Sequence, residues 1–174
     1  MSDPFCHRLA IDRIRNGEQL ELIADKSERR AIAERLALAS LDRLEASVVL
    51  ERNGALVRAT GRIRASLEQA CVATGEPVRE TVDEPFELVF LPEPEASRPD
   101  EEIELSEGEC DTVFYEGGSI DLGSAVADTL ALTIDAYPRS EGADAALKQA
   151  GVLSEEQAGP FAALAKLTGE KPDG

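Results

Sequence analysis

The chain has 174 residues, enough for one hydrophobic core, and its 43% apolar and 30% charged content is that of a globular protein in water. A net charge of −17, no tryptophan and 4% aromatics leave few base-stacking platforms and argue against DNA as a partner. No apolar run approaches the ~20 residues of a membrane span and no signal-like stretch precedes the first strand, so no membrane partner and a cytoplasmic setting are expected.

Phe5–Ile11 and Gln19–Ala24 read as strands, with a turn at Asn16–Gly17 between them. Ser27 is read as the cap of a helix over residues 28–39. Ile32, Leu36 and Ala39 form its narrow apolar stripe, and Glu28, Arg29, Arg30, Glu34 and Arg35 lie mostly outside it. Next, Asn53–Gly54 sits between two alternating runs and favours a type I′ turn centred on those two residues. Counting outward pairs Leu50 with Val57, Val48 with Ala59, Ala46 with Gly61 and Leu44 with Ile63 on the face that must point inward. The other face pairs Glu45 with Arg62, Val49 with Arg58 and Arg43 with Arg64. A third alternating run carries Val78, Val82, Phe86, Leu88 and Phe90, with Pro85 at a bulge or edge position, and a short fourth strand is predicted over residues 112–115.

Residues 119–138 hold the most strongly marked helix. Asp121 is placed to cap it, facing the positive end of the helix dipole. Leu122, Val126, Thr129, Leu130, Thr133 and Tyr137 recur at helical spacing, while Ala125, Leu132, Ile134 and Ala136 widen the apolar surface. Pro138 excludes residue 137 from the helical region and ends the run. Beyond it the chain turns polar and small. Residues 154–157 have the form of a capping box, and residues 160–167 start a short helix with Phe161, Leu164 and Leu167 on one face and Gly169 as its stop. These elements predict an α+β fold: a mostly antiparallel sheet of hairpins and meander with helices packed on one face. Residues 1–140 are expected to form one domain and residues 141–174 a partly helical C-terminal tail.

The inventory of reactive groups points away from an enzyme. The only histidine, His7, falls in a predicted strand, and no nucleophile elbow, phosphate-binding loop or dinucleotide fingerprint is present. The three cysteines, Cys6, Cys71 and Cys110, are an odd number without ligand-like spacing, which suits reduced thiols and predicts neither a metal site nor a cofactor. Arg58, Arg62 and Arg64 project from the outer face of the hairpin, where they either pair with nearby acids or meet RNA phosphates. Charge is strongly asymmetric: residues 1–70 have a net of +1 and residues 71–174 a net of −18. Nine acids lie between Glu93 and Asp111, with Arg98 the one opposing charge. Such a segment either keeps the protein in solution or attracts a basic protein, and Glu101, Glu102 and Glu104 are its candidate contacts together with Phe161.

Three separated stretches together resemble one family. They are Cys71-Val-Ala-Thr-Gly-Glu-Pro-Val78, with Gly75 and Pro77 at its turn; Ile120-Asp121-Leu122, opening the helix that leads to Tyr137-Pro138-Arg139; and Pro160-Phe161 with the six residues after it. Their order, the acidic stretch between the first two and the overall length are similar to the YceD-like proteins, the large ribosomal RNA subunit accumulation family. The resemblance spans roughly residues 5–170. It implies a bacterial or plastid factor supporting accumulation of the large-subunit (23S) ribosomal RNA, with no catalytic residues and with a basic ribosomal or assembly protein and ribosomal RNA as partners. Many members carry a second cysteine where this chain has Thr74, so the resemblance carries no metal site onto it. The resulting expectation is a non-enzymatic factor in large-subunit biogenesis. The alternative is a small enzyme or ligand-binding domain using the sheet face.

Overall fold

A short strand, β1 (Arg8–Ala10), leads through a 3₁₀ turn at Ile11–Arg13 to β2 (Glu18–Ile23) and the helix α1 (Lys26–Arg35). Three long strands follow: β3 (Ser40–Asn53), β4 (Leu56–Ala70) and β5 (Pro77–Pro92). Then come β6 (Asp111–Tyr115), β7 (Ser119–Asp121), α2 (Leu122–Thr133) and α3 (Ala143–Gln149). The computed structural model describes residues 5–93 and 111–152. They fall into two compact units, with the chain passing from one to the other after Gln69, Val78 and Ala136.

In the first unit, five strands form a sheet in the order β2-β3-β4-β5-β6. The β2/β3 and β3/β4 pairs are antiparallel, and β6 runs parallel to β5, from Leu88 opposite Asp111 to Pro92 opposite Tyr115. The fold is the α+β class expected, with a mostly antiparallel sheet. Strand β1 is shorter than the predicted 5–11 run and pairs with β7 in a separate two-stranded ladder, not with the main sheet. One continuous core joins the inward residues of the sheet (Leu44, Leu50, Val57, Ile63, Phe86 and Phe90 among them) to Ile32 of α1 and Leu122, Val126 and Leu130 of α2. Burying each of these larger side chains contributes about 1.5–3 kcal/mol.

The hairpin register differs from the count made from Asn53–Gly54. Asn53 pairs with Leu56, so the two loop residues are Gly54 and Ala55, and Gly54 takes φ +64° at the first central position. Every pairing is displaced by two residues: Leu50 opposes Ala59, Ala46 opposes Ile63 and Glu45 opposes Arg64. Because a side chain changes face only on an odd shift, the same residues still point inward. Arg43 opposes Ser66 in this same register, and an irregularity between Leu41 and Arg43 then shifts the pairing by one residue, bringing Leu41 opposite Leu67.

Helix boundaries also move. Asp25, not Ser27, caps α1: its Oδ1 accepts from the Ser27 and Glu28 amides at 2.7 and 2.9 Å, and Glu28 Oε2 accepts from the Asp25 amide at 2.7 Å, completing a capping box. The helix stops at Arg35, short of Ala39, which is exposed. There Ala37 adopts φ +54°, the Leu38 amide donates to Ala33 O at 2.9 Å and the Ala37 amide to Glu34 O at 3.4 Å. This is a Schellman closure with alanine where glycine is usual.

Helix α2 ends at Thr133, well before Pro138. Glu80 accepts from the Asp135 amide at 3.1 Å and Gln69 donates to Asp135 O at 3.0 Å, so side chains of β4 and β5 take over the backbone groups beyond the helix. Tyr137 is exposed and lies outside the helix, and Leu132 faces solvent. In the second unit α3 forms within the predicted C-terminal tail.

Replacing Ala37 with glycine removes a left-handed alanine costing about 1–2 kcal/mol, against glycine's extra chain entropy of about 0.5–1 kcal/mol. Thermal unfolding should therefore show Ala37→Gly raising Tm by about 1–4 °C in a chain of this size.

Candidate functional site

Three arrangements of functional side chains are present, two in the first unit and one in the second. The first is the outer face of the sheet. Arg58, Arg62 and Arg64 lie there as alternation requires, and each is met by an acid of β5. Arg62 bonds the Asp83 carboxylate through Nε and the Asp83 carbonyl at 3.0 Å; Arg64 Nε lies 3.5 Å from the same carboxylate. Arg58 Nη1 is 2.5 Å from Glu87 Oε1 and Arg43 Nη2 is 2.6 Å from Glu45 Oε2. The Arg62 guanidinium holds the Asp83 carboxyl below the usual carboxylate range, and Arg43 does the same to Glu45. The strip is thus a network of exposed ion pairs, each weak individually.

The second arrangement centres on Asp121, in β7 at the mouth of α2. Its Oδ1 accepts from the Ser124 amide at 3.1 Å, capping the helix as read from sequence, and from the His7 amide at 3.0 Å. Its Oδ2 accepts from the Cys6 thiol at 2.9 Å and lies 3.9 Å from Arg8 Nε. The Leu122 amide donates to His7 O at 3.0 Å. Gly123 makes this close approach feasible, since a Cβ there would lie 2.3 Å from Phe5 O. Burial pushes the Asp121 carboxyl up, but the bonds from Cys6, Ser124 and His7 and the Arg8 charge outweigh it, leaving the pKa below its ordinary value. The hydrogen bond to Asp121, then burial and the charge of that carboxylate, push the Cys6 thiol up, with Arg8 opposing them.

The third arrangement lies in the second unit. The Cys71 amide donates to Glu76 O at 2.7 Å and the Gly75 amide to Cys71 O at 2.9 Å, folding residues 71–76 into a tight turn before Pro77 opens β5. The Val72 amide donates to Pro138 O at 2.9 Å, so the Tyr137-Pro138-Arg139 stretch lies against this turn. Ser140 donates to the buried Cys71 sulfur from both its amide, at 3.3 Å, and its hydroxyl, at 3.5 Å, and its hydroxyl is 3.2 Å from Thr74 Oγ1. The Ser140 amide, then the Thr74 and Ser140 side chains, stabilise the thiolate against the cost of burial and lower the Cys71 pKa from 9.0 to about 6. One thiolate with two neutral hydroxyls is a poor donor set for zinc, which favours several thiolates or imidazoles. Among the described residues no group of three or more His, Cys, Asp and Glu is placed to hold a metal.

Cys71, Gly75, Pro77 and Pro138 are therefore brought together, while Asp121 and Leu122 belong to the other unit. Ser140 went unread in the sequence: only its place after Pro138-Arg139 marked it, 69 residues from its partner. Glu101, Glu102, Glu104, Cys110, Pro160 and Phe161, with residues 154–157 and 160–167, lie outside the described residues. No described helix is long and apolar enough to cross a membrane.

A family model described as "Large ribosomal RNA subunit accumulation protein YceD" matches residues 59–168, which include the Cys71 turn, the Asp121 cap and Pro160-Phe161. No curated protein and no solved structure matches the chain.

Two outcomes follow from this geometry. Thiolate absorbance near 240 nm should show a step centred near pH 6 that vanishes in Cys71→Ser and moves upward in Ser140→Ala, which retains only the amide donor. For Asp121, loss of the cap in Asp121→Ala should cost about 0.5–2 kcal/mol near neutral pH. Because the folded carboxyl titrates below its unfolded value, its stabilisation is complete above the unfolded pKa and lost as pH falls through the folded one. Denaturant unfolding should therefore show the gap between wild type and Asp121→Ala closing below about pH 4.

Proposed function

The chain belongs to the large ribosomal RNA subunit accumulation family, and we propose that it is a non-enzymatic cytoplasmic factor in large ribosomal subunit biogenesis. In this role it supports accumulation of 23S ribosomal RNA by binding a basic ribosomal or assembly protein. The family match carries the reading, and the distribution of charge supports it. With a net charge of −17 and 24 acids in residues 71–174, the chain attracts basic partners and repels polyanions. Ribosomal RNA would meet the strip of Arg58, Arg62 and Arg64 only in competition with Asp83 and Glu87, which already hold those guanidiniums. A protein partner is for that reason the primary contact, with Glu101, Glu102, Glu104 and Phe161 as the candidate residues for it, and RNA contact is secondary.

Deleting the gene should lower large-subunit relative to small-subunit ribosomal RNA, measured on total RNA and on subunit profiles during slow and cold growth. Unchanged ratios and profiles under all these conditions would remove the proposed role.

A further inference from the structure

We propose that the outer edge of β6 receives an extended, basic segment of a partner protein, which adds to the sheet as a further strand. This rests on the biogenesis reading for the partner's basic character and gives that partner a place to bind. Among the described residues β6 is the terminal strand of the main sheet, and β5 is its pairing neighbour. A strand end-on in that order offers a row of backbone donors and acceptors on its outer side, the template used in recognition by strand addition. The edge is held firmly in place. The Tyr115 hydroxyl donates to Ala55 O at 2.6 Å, the Glu93 amide donates to Tyr115 O at 3.0 Å, and Val113 and Tyr115 pack on the core.

A groove of about 600 Å³ runs between this strand and the start of α2, lined by Phe114, Glu116, Asp121, Asp128 and Arg8 among others. Phe114 is 52% exposed, a costly placement in a chain with only five phenylalanines, and gives an incoming strand an apolar contact. The charged lining holds three carboxylates and one guanidinium; Asp121 lies 3.9 Å from Arg8 and Asp128 meets Arg35 at 3.1 Å, which leaves the negative excess at Glu116. The Glu93 amide bond to Tyr115 O brings Glu93 beside Glu116, and hydrogen bonding with the Glu116 carboxyl, then that group's negative charge, raises the Glu93 pKa. A lysine or arginine placed there would offset that charge. Charge also decides between occupants. A second copy of this chain would bring another −17, and a nucleic acid would bring phosphates to a carboxylate-lined groove. A basic strand suits both the edge and its surroundings.

The test uses the full chain and a nine-residue synthetic peptide alternating lysine and valine. Binding is read by fluorescence anisotropy and by amide hydrogen exchange. The peptide should bind with an affinity that falls as salt rises, and it should slow exchange in residues 112–116. Methylating alternate backbone nitrogens of the peptide in one register should weaken binding about tenfold or more, while the other register, whose nitrogens face away, is tolerated. A glutamate–valine peptide should not bind, and Phe114→Ala should weaken the lysine–valine peptide. Equal affinity in both methylated registers, protection of β2 instead of β6, or protection that rises with protein concentration in the absence of peptide would each overturn the proposal. Strand pairing at β6 with normal ribosomal RNA in a deletion strain would support the docking edge and defeat the biogenesis reading. The opposite pair of results would leave biogenesis standing and remove the edge.

Discussion

One carboxylate, that of Asp121, connects the start of the chain to the helix that closes the core. It accepts two backbone amides, one from the first turn of α2 and one from His7, so the helix cap and the strand anchor are the same group. The ladder of β1 with β7 extends the anchor over three residue pairs, and the Leu122 amide returns a bond to His7 O. Beneath it, Leu122, Val126 and Leu130 reach the sheet, and Phe5 enters the same core. Gly123 sits where the N-terminal backbone passes. A side chain at that position would force the two segments apart, so the Asp121–Leu122–Gly123 run acts as one unit of backbone geometry.

What was legible in the sequence was what local chemistry decides. Alternation named the inward residues of the long strands, and Asp121 was identifiable as a cap because a carboxylate before an apolar helical run meets unsatisfied amides wherever it is placed. The misreadings came where two local solutions compete. Asn53–Gly54 suits a turn with both residues central, yet glycine at the first central position is equally well formed, and the sheet settled the choice. Asp25 and Ser27 are both good caps, and Asp25 gains from the reciprocal bond with Glu28. The end of α2 was least legible. Pro138 sets only an outer limit, while the actual stop depends on Gln69 and Glu80, which are distant in sequence and arrive through the sheet.

The Cys71 turn shows a similar division. Its glycine and proline announced a turn. Its cysteine is buried, but the sulfur is not inert packing: the Ser140 amide and hydroxyl converge on it and Thr74 closes the group. Hydrogen bonds from neutral donors stabilise a thiolate as they would any buried anion. They also tie the turn at 71–76 to the segment after Pro138, the kind of cross-connection that a metal makes between cysteine ligands. Here side-chain and backbone hydrogen bonds make it.

Charge completes the argument, because the same rule acts differently on the two sides of the sheet. On the outer face every arginine of the strip has an acid within reach, Arg62 and Arg64 sharing Asp83, so most of the positive charge is offset locally. Around β6 the carboxylates outnumber the cations, and Glu93 and Glu116 are held against each other. The chain leaving Glu93 and returning at Asp111 carries seven more acids and one arginine. Like charges brought together by a fold raise its energy, and a partner of opposite sign recovers that energy on binding. The two are thus unequal as interaction surfaces: the arginine strip must break existing pairs to bind, while at Glu93 and Glu116 a bound cation relieves like charges held side by side.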